Sequence, residues 1–167
     1  SDLTLEGIVL ERLRAMNGSL AVVEAGTHGA VASRLVAADP SGEVMKRGVL
    51  GAESGAAMAA LDVEVSAPDP AAACLELAAS IRNAADTTHG LAVAVVTSEG
   101  NDGWVYIAIS SSTGAPLERS ACLVGNAERT RVGGVEMALD VLRRTLSGLS
   151  IADAIDFEKS EIGRAHV

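Results

Sequence analysis

The sequence predicts an α/β domain of three layers, α/β/α, built on a mixed parallel and antiparallel sheet. Two uninterrupted apolar runs, residues 19–24 and 91–96, predict strands that are covered on both faces. Helical patterns lie between these runs, as is typical of a layered α/β domain. Alternating segments joined by turns over residues 101–124 predict antiparallel pairs. The sheet is therefore expected to be mixed.

The first half of the chain is predicted to alternate helices and strands. Apolar residues recur at helical spacing after Asp2, which is a good capping residue, and Asn17 and Gly18 mark the end of that helix. A turn is predicted at residues 39–42. In chain order we expect a helix up to residues 17–18, a strand over 19–24, a helix from about Thr27 that ends before 39, a weak strand over 43–50 and a short helix over 54–61.

The second half is predicted to place a strand meander between two longer helices. Asp69 followed by Pro70 indicates a helix start, because proline is favoured at the first helical position. In chain order we expect a linker over 63–66, a helix to about residue 85, strands over 91–96, 104–110 and 117–124, a helix over 127–146 and a helical turn over 150–153. We expect one domain over residues 1–157 and a loose tail over residues 158–167.

Composition and charge restrict the classes of partner. The 167 residues carry a net charge of −9, and the aromatic residues are Trp104, Tyr106 and Phe157. Nucleic-acid binding needs a basic face or stacking platforms, so we expect no nucleic-acid partner. No apolar run approaches the length of a membrane span, and the N-terminus has no basic segment followed by an apolar one. We therefore expect no membrane partner and a cytoplasmic protein.

Cysteine and histidine do not indicate a metal site. Cys74 and Cys122 lie in apolar helix and strand patterns, so we expect them to be small buried hydrophobic residues. A disulfide between them is possible but uncommon in a chain of this type. With His89 and His166 they form no recognisable ligand spacing. We expect neither a metal nor a cofactor.

The candidate site is a glycine turn, Gly26-Thr27-His28-Gly29, between a buried strand and a helix. Such a turn aims backbone N–H groups at one spot and adds the positive end of a helix dipole, which suits a phosphate, a carboxylate or an oxyanion. The glycine spacing matches neither the dinucleotide fingerprint nor the P-loop. On this segment alone, a structural connection with Thr27 as helix cap and Gly26 at positive φ explains the pattern as well.

Three side chains near the turn are candidates for chemistry or binding. Thr27 beside His28 could form a nucleophile–base pair, but adjacent residues rarely point at each other at a turn. We therefore expect Thr27 to be a cap or an anion-contacting hydroxyl, and His28 to lie at the mouth of the pocket. Arg131 opposes the dipole of the last helix, so it is held by Glu128 or Glu136, or it faces an anion.

The chain resembles the CinA C-terminal family, the nicotinamide mononucleotide deamidases, over about residues 4–146. Its opening motif, Glu-Ser-Cys-Thr-Gly-Gly, matches here at Glu24, Thr27 and Gly29. The resemblance implies an α/β/α domain that commonly dimerises. Active members hydrolyse the carboxamide of nicotinamide mononucleotide to nicotinic acid mononucleotide and ammonia, without a metal. The ligand-binding residues we predict are Glu24, Gly26, Thr27, His28, Gly29 and Arg131.

The three reactive side chains of the family fall on alanine in this chain. In the family a serine attacks the amide, helped by a tyrosine and a lysine from a segment like Gly-Val-Val-Ala-Tyr-Ser-Asn-Glu-Ala-Lys. These positions correspond to Ala25, Ala52 and Ala57. A glycine-rich loop that shapes the family's pocket is replaced by the shorter segment 97–103. The deamidase machinery is thus expected to be missing.

Three hypotheses follow. The leading one is a catalytically degenerate domain that binds a small anionic or nucleotide ligand, or another protein. The second is an active amidohydrolase in which Thr27, or else Ser54, replaces the serine. The third is a structural subunit, either a homodimer or a hetero-oligomer with an active related subunit.

Overall fold

The computed structural model describes residues 4–61, 69–98, 100–153 and 158–159. Within them the helices and strands follow one another in the predicted order. They are α1 (Leu5–Ala15), β1 (Leu20–Ala25), α2 (Ala30–Ala38), β2 (Met45–Gly51), α3 (Ser54–Ala60), α4 (Pro70–Ala85), β3 (His89–Val96), β4 (Gly103–Ser111), β5 (Leu117–Leu123) and α5 (Ala127–Leu146).

The five strands form one mixed sheet in the order β2-β1-β3-β4-β5, which confirms the predicted fold class. β1 pairs in parallel with β2 and β3, whereas β4 is antiparallel to β3 and β5. Every residue of β1 is buried, as its unbroken apolar run predicts. The strands β1, β2, β3 and β5 therefore end at the same edge of the sheet, called the carboxyl edge below. The opposite edge, where they begin, is called the amino edge.

Helices cover both faces of the sheet and complete the three layers. Helices α1, α2 and α5 pack on one face, against large aliphatic side chains such as Leu20, Leu91 and Ile107. Helices α3 and α4 pack on the other face, where most of the strand side chains are alanine. These small side chains let α4 approach the sheet closely. A Cβ atom at Gly90 would overlap the carbonyl oxygen of Ala78 on α4.

Two helix starts differ from the sequence prediction. Helix α1 is capped by Thr4, whose hydroxyl accepts a hydrogen bond from the N–H of Gly7 at 3.0 Å. Helix α2 begins at Ala30 with Gly29 as its cap residue, so the first of the two roles expected for Thr27, that of the helix cap, was wrong. The helix cannot begin earlier because His28 and Gly29 have positive φ angles of 57° and 76°.

The segment after α5 lies along β5. Residues 150–153 form bends and not the predicted helical turn. Arg119 donates hydrogen bonds to the carbonyl oxygens of Ile151 and Asp153, at 2.9 and 3.2 Å. Glu158 forms an antiparallel bridge with Leu123 and an ion pair with Arg119. Glu158, which was expected in a loose tail, is thus held against the edge strand.

Both cysteines are buried and neither is in a disulfide. Burial, together with the charge of Glu118, raises the pKa of the Cys74 thiol to about 12. Across the described residues, no helix has both the length and the apolar character needed to cross a bilayer. The predicted linker over 63–66 and Phe157 lie outside the described residues, so the domain extent of 1–157 stays a prediction.

Candidate functional site

Three helices begin at the carboxyl edge of the sheet. Strand β1 leads into α2, β2 into α3 and β5 into α5. The first N–H groups of a helix have no partner within it, and they carry the positive end of the helix dipole. In open α/β sheets, ligands bind at this edge. The edge is therefore electrically suited to an anionic group.

The glycine turn between β1 and α2 has a backbone shape that depends on glycine. Gly26 and Gly29 have φ angles of 75° and 76°, so the positive φ expected at Gly26 is confirmed. A Cβ atom at Gly26 would overlap the carbonyl oxygen of Val95 in β3. The N–H of Gly26 donates to the carbonyl oxygen of Gly51 at 3.4 Å, which ties the turn to the end of β2.

Glu24 and Thr27 form the buried inner side of the turn. The side chain of Glu24 is 1% exposed and Thr27 is fully buried. Glu24 Oε1 accepts hydrogen bonds from the N–H of Val31, at 3.1 Å, and from the hydroxyl of Thr27; Oε2 accepts one from the N–H of Ala32, at 2.7 Å. The carboxylate thus caps α2, whose own cap residue is a glycine without a side chain. These two predicted ligand residues are turned into the fold.

A depression of about 140 Å³ lies at the carboxyl edge beside the turn. Its lining residues are Gly26, His28, Thr97, Ala127, Glu128 and Arg131. Gly26, His28 and Arg131 were predicted for ligand binding, whereas Glu24, Thr27 and Gly29 are not in the lining. Ala127 and Glu128 are the first two residues of α5. They were not predicted for the site, although a long helix that begins just after a strand could have indicated them.

Arg131 is held by Glu128, one of the two partners proposed from the sequence. One guanidinium nitrogen lies 2.5 and 2.6 Å from the two carboxylate oxygens of Glu128. Glu136 pairs with Arg34 of α2 instead. Glu128 is in the first turn of α5, where the helix dipole favours a negative charge. Because the Glu128 side chain is 68% exposed, an anion that enters the depression competes with it for Arg131.

Ala25, Ala52 and Ala57 lie at one corner of the carboxyl edge. Ala25 ends β1 and pairs in register with Gly51, which directly precedes Ala52. Ala57, on α3, packs against the same corner, since a Cβ atom at Gly51 would lie 2.5 Å from the nitrogen of Ala57. Ala25 and Ala57 are buried, and Ala52 is exposed. The structure brings the three positions together, and each supplies only a methyl group.

Ser54, the other candidate nucleophile, begins α3. The carboxylate of the preceding Glu53 accepts hydrogen bonds from the N–H groups of Gly55 and Ala56, at 2.9 and 2.8 Å, and so caps the helix. Lys46 lies near the opposite end of β2. Neither neighbour that the sequence suggested is therefore positioned as a base for the Ser54 hydroxyl.

The histidines are far apart in the fold. His28 is exposed at the carboxyl edge, and His89 begins β3 at the amino edge. In the part of the chain that the structure describes, no group of three or more His, Cys, Asp or Glu side chains could hold a metal ion. His166 lies outside that part.

Comparison with known proteins finds relatives of this chain. No family model matches the sequence. A CinA-like protein from Frankia casuarinae is 31% identical over 163 residues, which cover 89% of this chain and 36% of the relative. A CinA-like protein from Desulfovibrio desulfuricans is 29% identical over 164 residues, which cover 88% of this chain and 38% of the relative. The chain spans only 36–38% of the length of these curated relatives.

Solved structures of other proteins share the fold. A competence-damaged protein (CinA) superfamily protein from Klebsiella pneumoniae has a TM-score of 0.73 and 22% identity, covering 86% of this chain and 96% of that one. A competence/damage inducible protein from Agrobacterium tumefaciens has a TM-score of 0.71 and 18% identity, covering 86% and 95%. At these identities the likeness shows the α/β fold alone. The chain is thus similar in sequence to CinA-like proteins over 88–89% of its own length, and it shares its fold with CinA superfamily structures.

Proposed function

We propose that the chain is a CinA-like domain that binds a small anionic ligand at the carboxyl edge without hydrolysing it. The observation that carries the proposal is the corner formed by Ala25, Ala52 and Ala57, where the family resemblance places serine, tyrosine and lysine. A methyl group can neither attack a carbonyl carbon nor take up the proton of an attacking hydroxyl group. Loss of an acyl-transfer nucleophile typically lowers turnover by on the order of a millionfold, whereas binding terms survive.

The depression beside the glycine turn supports the binding part of the proposal. It combines the guanidinium of Arg131, the imidazole of His28 and the first residues of α5, whose N–H groups favour an anion. Its volume of about 140 Å³ is below the range of about 300–1,000 Å³ that small-molecule sites typically have. It therefore suits one phosphate or carboxylate group, with the rest of a larger ligand lying on the surface.

The alternative, an amidohydrolase that uses Thr27, finds no support in this geometry. The Thr27 residue is fully buried, and its hydroxyl donates its proton to the carboxylate of Glu24. His28, the adjacent imidazole, is exposed to solvent. A substrate carbonyl would have to enter the interior of the turn to reach this oxygen, and the glycine turn closes over it.

An ammonia-release assay with nicotinamide mononucleotide, run beside thermal unfolding with the same nucleotide and with inorganic phosphate, tests the proposal. We expect no ammonia above background and a rise in Tm, because a ligand that prefers the native state stabilises it. Arg131→Gln should abolish the rise. Arg12→Gln, on the exposed side of α1, is the matched control and should leave it unchanged.

Two results would change the conclusion. Ammonia release that disappears in Thr27→Val would overturn the proposal and make Thr27 the nucleophile. A Tm that responds to neither anion would remove the ligand-binding part. The function would then be sought in protein partners, either a homodimer or a hetero-oligomer with a related subunit.

A further inference from the structure

The amino edge of the sheet holds a second and larger cavity, opposite the depression of the carboxyl edge. Its volume is about 270 Å³, close to the lower end of the range of about 300–1,000 Å³ for small-molecule sites. His89, at the start of β3, and Ser111, at the end of β4, pair in register and both line it. The last turn of α5 and the end of α1 complete its walls.

The lining of this cavity mixes apolar side chains with four polar ones, which are His89, Ser111, Thr113 and Thr145. Met16, Ile109, Leu117 and Leu146 contribute aliphatic surface, and Met16 and Leu117 are 47% and 38% exposed. Of the described residues that line the cavity, His89 is the one with an ionisable side chain. An ion that entered would lose its hydration without meeting an opposite charge. The lining therefore favours an uncharged molecule.

The contacts of His89 show which ring nitrogen is already engaged. The hydroxyl of Thr88 lies 3.0 Å from the carbonyl oxygen of Ser19. The same hydroxyl lies 2.8 Å from Nδ1 of His89 and so engages that nitrogen. Burial, together with the charge of Arg82, lowers the pKa of His89, so the ring is neutral near pH 7. None of the described residues forms a hydrogen bond with Nε2, which accepts or donates one according to the tautomer of the neutral ring.

We propose that this amino-edge cavity binds a small uncharged molecule that has an apolar body and one hydroxyl group, which forms a hydrogen bond with Nε2 of His89. The apolar part of the lining would bury the body of the molecule, and the imidazole would select for the hydroxyl group. This site shares no residue with the depression at the carboxyl edge, so it does not depend on the function proposed above.

The test compares phenol with toluene, which has nearly the same shape but a methyl group in place of the hydroxyl. Binding of each is followed by the amide signals of Ser111 and Thr113 in two-dimensional NMR spectra of the isotope-labelled protein. We expect saturable shifts with phenol and binding of toluene that is weaker by about three- to tenfold, the contribution of one hydrogen bond between neutral groups. His89→Phe keeps an aromatic ring but removes the ring nitrogens, and it should make the two affinities equal within about twofold.

Two further variants keep the test decisive. His28→Phe, at the other edge of the sheet, is the matched control and should preserve the preference for phenol. Leu117→Trp narrows the cavity from a partly exposed wall position, so it should weaken both probes even if His89→Phe does not fold. Equal affinity of the unmodified protein for both probes, the absence of saturation, or shifts at the carboxyl edge instead would each overturn the proposal.

Discussion

Replacing Glu24 with glutamine tests whether its carboxylate holds the glycine turn together. Both carboxylate oxygens accept hydrogen bonds, from the N–H groups of Val31 and Ala32 and from the hydroxyl of Thr27. Glutamine keeps the shape, but it places an NH₂ donor where an acceptor is needed. A hydrogen bond to a charged group contributes about 1.5–3 kcal/mol, and a helix cap about 1 kcal/mol. We expect Glu24→Gln to lower the free energy of unfolding by about 2–4 kcal/mol.

Urea unfolding at pH 7, followed by circular dichroism and extrapolated linearly, measures this change. Thr27→Val removes one of the three donors and should lower the free energy of unfolding by about 1–2 kcal/mol. The two substitutions should be less than additive, because they break the same hydrogen bond. Glu11→Gln, on the exposed side of α1, is the control and should change it by less than about 0.5 kcal/mol.

A different pattern would refute this reasoning. If Glu24→Gln unfolds within about 0.5 kcal/mol of the parent protein but binds nicotinamide mononucleotide more weakly, the carboxylate contacts a hydroxyl or amide group of the ligand. The Glu24 position would then belong to the binding site that the sequence predicts. If Glu24→Gln loses both stability and ligand binding, Thr27→Val distinguishes the two causes, because it weakens the turn without removing a charge.

Three further predictions concern packing, pH and thiol reactivity. Gly90→Ala should lower the free energy of unfolding by more than about 2 kcal/mol in urea, because the new methyl group overlaps the carbonyl oxygen of Ala78. The hydrogen bond with Arg34 lowers the pKa of Glu6 from 4.5 to about 2, so this pair should stabilise the fold by about 1 kcal/mol above pH 4.5. That contribution should vanish as the pH falls towards 2, which unfolding of Glu6→Gln and of the parent protein across this range would show. Burial raises the pKa of Cys74 to about 12, so mass spectrometry should find this thiol unlabelled by iodoacetamide at pH 8 until the protein unfolds.

Each of these predictions has a control or a contrary result. Gly114→Ala lies in an exposed turn with no backbone overlap, and it should be nearly neutral where Gly90→Ala is not. A constant difference between Glu6→Gln and the parent protein from pH 7 to about 2 would contradict the role of the ion pair. Labelling of Cys74 at the rate of a free thiol in the native protein would contradict its burial.

Local sequence signals predicted most of the elements because the cause of each lies within the segment itself. Helix α4 begins where Asp69 and Pro70 place it, since the carboxylate of Asp69 accepts a hydrogen bond from the N–H of Ala71. The unbroken apolar run of β1 reflects helices on both faces. The start of α2 was misplaced because its cap residue, Gly29, has no side chain, and the carboxylate that accepts hydrogen bonds from its first turn comes from Glu24, a strand residue six positions before Ala30. Spacing rules for helix caps do not cover that distance.

The candidate site was less predictable than the fold, because it depends on contacts between distant segments. From the sequence, Glu128 and Glu136 were both plausible partners for Arg131. The choice follows from Arg34 on α2, which pairs with Glu136 and leaves Glu128 for Arg131. Likewise, Thr97 comes to the depression only because β3 ends beside the glycine turn, whose position depends on sheet order.

The close packing at Gly51 bears on how this corner of the sheet could change through evolution. Ala57 is fully buried, and its backbone nitrogen lies where a side chain at position 51 would begin. A lysine at position 57 would place a charged side chain where alanine is fully buried, which costs stability unless α3 shifts. The family resemblance implies a lysine at this position in active members, so recovering that side chain would require a change in the packing of α3 as well as the substitution itself.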